Sequence, residues 1–520
     1  MARQMHIAIF TMLASFLVVP AAMAQHTYYI SSSAGSDSNT SAQAQSKTTP
    51  WQHLKGMPGA SGNANAYSPV AGDQFVFMGC DTWTFNSEWS WSSSGSSGNL
   101  IAIGGLDQSW FNTSVCPTTW NRPIFTGGGS WPASAGAFML HLSATYVNVA
   151  WIEWTGFYYS PSGCPGEMGI IERNGGNDIF HDNYFHGWSH AAGACESENV
   201  NAIYGGSSTD RVYNNAFDGA DTDHVSFGGL YCTSSCGEVD HNYFAYQNDT
   251  MNFDGTMLIH DNTFYNAGTP AYSGSGDHNN VMESNQDPSG GMIVYNNYYT
   301  LDNGGAGGSG VAIQIAPPAG ATSYFFNNVI TNGVNSGNNL MCEQSISNPG
   351  GTCFFFNNTE ECGPDSLGAG DACLRVGGLS GTMPTAVETN MQLITSTSPI
   401  AQTTPLVQSL SVTNLLGLVL GETYSFAPTS ASSPTVLAGT NMSSTCATIA
   451  AVNAAAGTAC QSDTTYGVVY NSANHQVTGS AKTAVLRPTS GPWDIGAYQF
   501  GGASSVTKPN PPTGVSAVAH

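Results

Sequence analysis

The sequence predicts an all-β solenoid, in which short parallel strands stack coil upon coil. The main observation is a phrase of apolar residues, an Asn and a second apolar pair, which recurs seven times. The Asn of each copy is Asn183, Asn215, Asn242, Asn262, Asn297, Asn328 or Asn358. Successive copies are separated by 32, 27, 20, 35, 31 and 30 residues. These separations match the length of one solenoid unit.

Each copy of the phrase is rich in β-forming residues and is followed by Gly, Asn, Asp and Ser, without helical periodicity. This pattern predicts short strands joined by turns. Stacked coils place parallel strands about 4.8 Å apart. We expect the recurring Asn to occupy a turn in the left-handed conformation and to hydrogen-bond the Asn of the next coil. The result would be an asparagine ladder.

With this ladder, the sequence from about Tyr28 to Phe500 resembles the right-handed parallel β-helix proteins of the pectate-lyase-like superfamily. Residues 28–31 and 50–54 resemble the N-terminal cap of bacterial members. The phrase Trp-Asp-Ile-Gly-Ala-Tyr-Gln-Phe at 493–500 resembles their closing segment, with Gln499 in place of the usual Glu. The resemblance implies a secreted, capped, right-handed parallel β-helix.

The predicted organisation begins with a secretory signal peptide. Arg3, an apolar run over 7–19 and Ala22-Met23-Ala24 indicate cleavage near Ala24. We expect a cap and first coil over 25–80, the parallel β-helix over 81–380, and C-terminal coils with a closing segment over 381–502. Residues 503–520 are interpreted as a linker or the start of a truncated fibronectin-type-III-like module. No later apolar run reaches the roughly 18 residues of a membrane span, so we expect a secreted monomer.

The 12 cysteines are expected to form disulfides, because they fall into close neighbours in an exported chain. The neighbours are Cys80 and Cys116, Cys164 and Cys195, Cys232 and Cys236, Cys342 and Cys353, Cys362 and Cys373, and Cys446 and Cys460. A zinc site at Cys232 and Cys236 is the alternative for that pair.

Charge restricts the partners. Charged residues make up 8% of the chain and the net charge is -24, which excludes nucleic acid and anionic membrane and opposes an anionic substrate. The region 80–160 holds eight of the 11 tryptophans. Core filling is favoured there over the stacking of sugar rings.

The resemblance implies a substrate groove along one sheet, about ten to twenty residues after each ladder Asn. The expected groove strands are 199–206, 223–229, 250–255, 279–284 and 310–315. Side chains alternate along a strand. Alternation points His224, Ser226, Asn252, Asp254 and Gln314 outward. We expect Glu283 to point outward as well, because burying an unpaired carboxylate is costly.

Three groups of candidate site residues follow. The catalytic candidates are Asp254, Glu283, Asp223, His224 and Arg173. The substrate-binding candidates are Ser226, Asn252, Gln314, Tyr204 and Trp188. The candidate calcium ligands are Asp221, Asp223, Asp249 and Asp254, whose hard oxygens suit that ion. The alternative is that these acids are turn residues on a solvated rim.

The favoured hypothesis is a secreted enzyme that cleaves an extracellular polysaccharide with groove carboxylates. Carboxylates on adjacent strands lie about 5 Å apart, and those two strands apart lie about 10 Å apart. Glycosidase pairs are separated by roughly 5 to 5.5 Å for retention and 6.5 to 9.5 Å for inversion. The first alternative is a calcium-assisted lyase with Arg173 or His224 as base. The second is a non-catalytic carbohydrate-binding or adhesin β-helix. No catalytic motif of the superfamily carries over to this sequence.

Overall fold

The computed structural model describes most of the chain from Gln25 to Gly501. The described ranges are 25–131, 137–159, 168–190, 200–220, 227–247, 249–253, 255–267, 280–284, 291–301, 313–331, 340–344, 350–362, 374–378, 385–395, 406–409 and 424–501. Within them, the architecture is the predicted parallel β-helix, built from three long parallel sheets. The right-handed sense of its connections follows the rule for parallel crossovers.

Sheet A has twelve strands, and in the main repeats each strand ends just before the ladder turn. Its strands are Thr27–Ile30, Gln74–Phe77, Ile101–Gly104, Val147–Ala150, Ile179–His181, Arg211–Tyr213, Glu238–Asp240, Leu258–His260, Ile293–Tyr295, Thr322–Phe326, Thr352–Phe356 and Thr385–Thr389.

Sheet B also has twelve strands, and in the main repeats each strand follows the ladder Asn. Its strands are Thr82–Thr84, Ile124–Thr126, Glu153–Thr155, Tyr184–His186, Ala216–Asp218, Tyr243–Ala245, Thr263–Ala267, Tyr298–Leu301, Val329–Thr331, Thr359–Cys362, Gln392–Thr395 and Leu406–Ser409.

Sheet C has ten strands and follows sheet B in each coil. Its strands are Trp89–Trp91, Phe138–Leu142, Met168–Arg173, Val200–Gly205, Phe227–Cys232, Met251–Phe253, Met282–Ser284, Ile313–Ile315, Leu340–Gln344 and Leu374–Gly378. All five expected groove strands therefore overlap with strands of one sheet.

Two short sheets and four helices complete the described elements. Phe157–Tyr159 pairs in parallel with Trp188–His190, and Val468–Asn471 pairs antiparallel with Gln476–Ser480. The helices are α1 (Ser41–Ala44), α2 (Gly62–Ala66), α3 (Ser443–Val452) and α4 (Ala454–Cys460). Helix α1 begins with a capping box, in which Thr40 and Gln43 satisfy each other's backbone N–H groups. None of the described helices has both the length and the apolar character needed to cross a membrane.

The core is filled by the inward side chains of each coil. The second residue after the ladder Asn is aromatic in five consecutive coils, and these rings are Phe185, Phe217, Phe244, Phe264 and Tyr299. Their centroids are separated by 4.9, 4.7, 5.1 and 4.7 Å, and the rings are nearly parallel. Tryptophans from the N-terminal region also fill the core, as expected. Trp83, Trp89, Trp91, Trp131 and Trp154 are all buried.

The asparagine ladder is confirmed over all seven predicted positions. From Asn183 to Asn328, each side-chain amide nitrogen donates to the side-chain oxygen of the next Asn at 3.0 to 3.1 Å. Each rung is buried. A buried amide needs such partners, because an unsatisfied polar group costs stability.

The left-handed residue of the turn is not the ladder Asn, which corrects our expectation. Positive φ falls one residue earlier, for example at Asp182 (56°), His241 (55°) and Asn296 (59°). The physical reason is the direction of the side chain. The ladder Asn must point into the coil to reach its neighbours, so the residue before it makes the bend with its side chain outside.

Four expected disulfides are confirmed, namely Cys80–Cys116, Cys232–Cys236, Cys342–Cys353 and Cys446–Cys460. Because the sulfurs of Cys232 and Cys236 are bonded to each other, the zinc alternative for this pair is wrong. The pairs Cys164–Cys195 and Cys362–Cys373 include positions outside the described residues.

Residues 424–501, here called the C-terminal segment, run back along the outside of the coils. Thr440 accepts a hydrogen bond from Asn390 at 2.7 Å, whereas Val468 donates to Thr263 at 2.9 Å. Further on, Arg122 donates to the carbonyl of Asn474 at 3.0 Å. Between residues 440 and 474 the segment therefore contacts progressively earlier coils. It then returns to later ones, where Arg487 donates to Asn327 at 3.3 Å and Gly496 donates to the carbonyl of Asn390 at 2.8 Å.

Candidate functional site

One row of aligned residues crosses eight strands of sheet C. The strand register aligns Ser90, His141, Glu172, Tyr204, Tyr231, Asn252, Glu283 and Gln314. We call this set the sheet C row. Neighbouring members are one strand apart, or about 4.8 Å.

Alternation along the strands explains why this row faces outward. The residues before Glu172, Tyr204 and Glu283 are Ile171, Ile203 and Met282, and all three are fully buried in the core. Successive side chains of a strand point to opposite faces. The orientation expected for Asn252 and Glu283 therefore agrees with the register that aligns them.

Two tyrosines form an aromatic pair at the centre of the row. The rings of Tyr204 and Tyr231 stack with centroids 5.2 Å apart, and Phe138 lies 5.1 Å from Tyr204 on its other side. Both faces of Tyr204 are thus turned toward other rings. Tyr204 and Tyr231 remain partly exposed. The exposed part of each side chain is the surface of this pair that can meet a ligand.

A polar group follows the tyrosines along the row. The amide nitrogen of Asn280 donates to Glu283, and that of Asn252 donates to Asp249 at 3.5 Å. Asn252 and Glu283 are 7% and 3% exposed. Amide donors around carboxylates hold the acid groups in fixed positions.

A His–Glu pair lies on the other side of the tyrosines. The Nδ1 atom of His141 is hydrogen-bonded to Glu172 on the adjacent strand. The His141 side chain is 36% exposed and that of Glu172 is 15% exposed. A carboxylate bonded to one ring nitrogen orients a histidine for proton transfer at the other.

Arg173 was a catalytic candidate, with His224 the other possible base of the lyase alternative, and its position in the core does not fit that role. Its side chain points into the core, where it donates to Gly205 at 3.2 Å and forms a buried ion pair with Asp210 at 3.4 Å. Burial lowers the pKa of Arg173 and raises that of Asp210. Arg173 is the neighbour of the outward Glu172, so alternation turns it inward.

Trp188 was expected to bind substrate, and its position corrects that expectation too. The indole is fully buried. Its N–H lies 3.1 Å from the carbonyl oxygens of both Val200 and Gly228. It therefore joins the short sheet to sheet C and presents no surface to a sugar.

Several predicted site residues lie outside the described residues, namely Asp221, Asp223, His224, Ser226 and Asp254. For Gln314, the structure gives the strand position opposite Glu283. Of the candidate calcium ligands, Asp249 is the one within the described part of the chain, next to Asn252.

Three residues of the sheet C row were not predicted from the sequence, namely His141, Glu172 and Tyr231. Glu172 and Tyr231 each follow a buried apolar residue, Ile171 and Leu230. Alternation could have found both. Glu172 was not predicted, although it directly precedes Arg173 and faces outward.

A second charged cluster lies on the outer face of sheet A. Arg211 donates to both carboxylate oxygens of Asp240 at 2.8 Å, while His260 contacts Glu238 at 3.1 Å and Asp261 at 2.7 Å. Burial raises the pKa of Asp240, but hydrogen bonds from His241 and Arg211 outweigh it and lower the pKa to about 2. Burial likewise opposes the charge of His260, yet its two carboxylate partners raise its pKa to about 9.

Asp240, His241 and His260 bring three donor atoms within 4.8 Å of one another, which makes them a metal candidate. The donor set does not fit a cation. Arg211 occupies both oxygens of Asp240, and both ring nitrogens of His260 are bonded to carboxylates. A protonated imidazole cannot ligate a metal. We assign the cluster to ion pairing.

No protein-family model matches the chain, and no curated protein matches it. Among solved structures, the chain is similar to pectate lyase Pel9A, with 15% identity, a TM-score of 0.45 and coverage of 80% of this chain and 92% of that one. A rhamnogalacturonan lyase gives 15% identity, a TM-score of 0.45, and coverage of 70% and 87%. The GH136 lacto-N-biosidase from Eubacterium ramulus gives 11% identity and a TM-score of 0.35, with coverage of 71% of this chain and 67% of that one. These likenesses concern the overall fold alone.

Proposed function

We propose that the chain is a secreted enzyme that cleaves glycosidic bonds of an extracellular polysaccharide lying along sheet C. The observation that carries the proposal is the sheet C row, which combines tyrosine edges, amides and carboxylates in one register. A linear polymer running along the helix axis would meet one member of the row about every 4.8 Å. Disulfides in the described coils support export to an oxidising compartment.

In this proposal Glu283 and Asp254 are the reacting carboxylates. Asp254 follows the strand Met251–Phe253, which pairs with the strand of Glu283. The register aligns Glu283 with Asn252, so Asp254 is offset from Glu283 by one strand and two residues, or about 8 Å. That spacing lies within the roughly 6.5 to 9.5 Å of an inverting pair. One acid would protonate the leaving oxygen, while the other would take a proton from a water that attacks the anomeric carbon from the opposite face. Asp223 and His224 are further candidates one strand earlier.

The remaining roles concern binding. Tyr204, Asn252, Ser226 and Gln314 would contact sugars through hydroxyl and amide groups, joined by Tyr231. Glu172 lies four strands from Glu283, or about 19 Å, too far to pair with it in hydrolysis. We therefore assign Glu172 and His141 to the far end of the groove.

A lyase is the second candidate, and one observation favours it. His141 is partly exposed and oriented by Glu172, so it could take the proton that Arg173 cannot reach. Calcium would be held by the oxygens of Asp221, Asp223, Asp249 and Asp254, where it would neutralise a uronate. The net charge of -24 weighs against this anionic substrate.

Product analysis on a polysaccharide panel tests the proposal. New reducing ends without ultraviolet absorbance indicate hydrolysis, absorbance of an unsaturated product indicates elimination, and retention without cleavage indicates a binding protein. On a cleaved substrate, we expect Glu283→Gln and Asp254→Asn to lower kcat by about 10²- to 10⁴-fold, because each removes a proton-transfer group or nucleophile.

Glu153→Gln is the matched control, since Glu153 is a histidine-bonded carboxylate on sheet B, away from the sheet C row. All variants are assayed with and without saturating calcium, and rescue of Asp254→Asn by calcium would indicate a metal ligand. Full activity of both Glu283→Gln and Asp254→Asn would refute a carboxylate mechanism on sheet C.

A further inference from the structure

A cleft crosses the outer face of sheet A, away from the sheet C row. Its floor is a second aligned row, made of Ile179, Arg211, Glu238, Leu258 and Ile293. The residues that follow them, such as Phe180, Val212 and Val239, are fully buried in the core. The floor residues therefore face outward by the same alternation that creates the sheet C row.

Charged groups in the middle of the cleft are held in place. Arg211 is fixed by two hydrogen bonds to Asp240 at 2.8 Å and by the ring of Tyr213, 4.5 Å away. Glu238 is fixed by His260 at 3.1 Å. Arg211 and Glu238 nevertheless remain 43% and 37% exposed. Both side chains have lost their conformational freedom before a ligand arrives, which lowers the entropy cost of binding.

The C-terminal segment closes one end of the cleft. Helices α3 and α4 pack on the later part of the row, where Cys446 and Ile449 join a cluster with Ile293. Val452 and Asn453, at the junction of the two helices, line the cleft wall. The cavity has a volume of about 610 Å³, within the range of small-ligand sites.

We propose that this cleft is a second carbohydrate site, which binds a short stretch of a neutral glycan without cleaving it. The planar groups of Arg211 and Glu238 can form paired hydrogen bonds with adjacent sugar hydroxyls. The aliphatic floor at Ile179 and Leu258 can pack against the C–H face of the ring. The carboxylates of Glu238, Asp240 and Asp210 are matched by the cations of His260, Arg211 and Arg173. A sugar carboxylate would have to compete with these acids for their partners, which favours a neutral sugar.

Direct binding measurements test the proposal. Binding is measured by titration calorimetry on protein that carries Glu283→Gln to prevent turnover. The probes are neutral β-linked tetrasaccharides of glucose, mannose, galactose and xylose. Ser208 is an exposed residue of the cleft wall. We expect Ser208→Trp to fill the cleft and abolish binding of at least one probe, with an unchanged melting temperature.

A second variant tests the chemistry of the site. Glu238→Gln keeps the shape of the side chain and should weaken binding by about 10-fold, through loss of a charged hydrogen-bond partner. Glu153→Gln removes an equivalent histidine-bonded carboxylate on sheet B and should leave affinity unchanged.

The outcomes separate this inference from the proposed function. Binding that persists in Ser208→Trp but disappears in Tyr231→Ala would place the sugar on sheet C and overturn the second site. Absence of binding by all four probes would overturn it as well. On a short soluble substrate, the protein with Ser208→Trp as its one substitution should cleave at the same rate as the parent. A failure of the cleft proposal can therefore be distinguished from a failure of the proposed reaction.

Discussion

The outer faces of sheets B and C both carry tyrosines, but the two sets have different surroundings. On sheet B, Tyr184, Tyr243 and Tyr298 stack against residues of the C-terminal segment. The covering rings are His475 at 4.0 Å, Tyr470 at 4.0 Å and Tyr466 at 4.1 Å. On sheet C, Tyr204 and Tyr231 stack on each other and keep part of their surface exposed.

An outward row of aromatic side chains therefore does not by itself define a binding surface. The coil pattern places rings outside on both sheets, and a segment more than a hundred residues later decides which of them stay accessible. The rings of sheet B serve to dock that segment. Within the described residues, those of sheet C remain partly exposed, and this difference supports the proposal that the substrate lies there.

The largest expected effect is a difference in stability between two Ala substitutions, one at Tyr470 in the C-terminal segment that covers sheet B and one at Tyr231 on sheet C. Tyr470→Ala should lower the free energy of unfolding by about 2 to 4 kcal/mol, because it removes the stack on Tyr243 and leaves a gap under the C-terminal segment. Tyr231→Ala should cost less than about 1.5 kcal/mol and raise KM instead. Denaturant unfolding and steady-state kinetics measure the two effects.

Phe substitutions at the same positions are the controls, because they keep the ring. Tyr470→Phe should retain most of the stability, despite losing the hydroxyl contacts to Asp218 and His475. Equal destabilisation by the two Ala variants would mean that the faces do not differ in the way described.

The ladder adjoins sheet B, whose outer face is covered by the C-terminal segment. Asn262 is one of the central rungs of the ladder. Asn262→Leu should cost on the order of 1 to 3 kcal/mol, since it removes the acceptor for the backbone and side-chain amides of Asn242. Asn99→Leu, at an exposed position, is the control. A melting temperature for Asn262→Leu that matches the parent would contradict a structural ladder.

The smallest expected effect is a pH dependence of the free energy of unfolding, caused by His260. The folded pKa of His260 is about 9, against 6.5 for the ordinary group. The stabilisation is therefore fully present below pH 6.5 and is lost as pH rises through 9. We expect the parent to lose on the order of 1 to 2 kcal/mol more than His260→Gln between pH 6 and pH 10. Parallel stability curves would show that His260 carries no such coupling.

Repetition explains what could be predicted from the sequence. Seven copies of the Asn phrase predicted the coil, the ladder and the approximate positions of the sheet C strands. Glu283 shares the register of the sheet C row, but the residue is 3% exposed, so the cost of burying a carboxylate does not explain its orientation. Alternation after the buried Ile171 would have turned Arg173 inward, but its ion pair with Asp210, 37 residues later, could not be predicted from the local sequence. Asp254, His224 and their neighbours stay predictions, because they lie outside the described residues.

The docking of the C-terminal segment had no local sequence pattern to reveal it. Tyr466, Tyr470 and His475 do not follow the coil phrase, and their partners lie far away in the chain. Thr263 and Val468, for example, are separated by 205 residues. Only the three-dimensional alignment of Tyr184, Tyr243 and Tyr298 creates their binding surface. The missed groove residue Tyr231, by contrast, was accessible to simple alternation.

The course of the C-terminal segment has a consequence for how the molecule folds. In an ordinary solenoid each coil touches only its neighbours, so coils can fray one at a time. Here the segment links coils from Arg122 to Asn390, and the ends of the solenoid should melt together. Contacts this distant in sequence form slowly. The C-terminal segment, which is synthesised after the coils that it covers, would thus complete their fold, and until it docks, the aromatic row of sheet B stays open to aggregation.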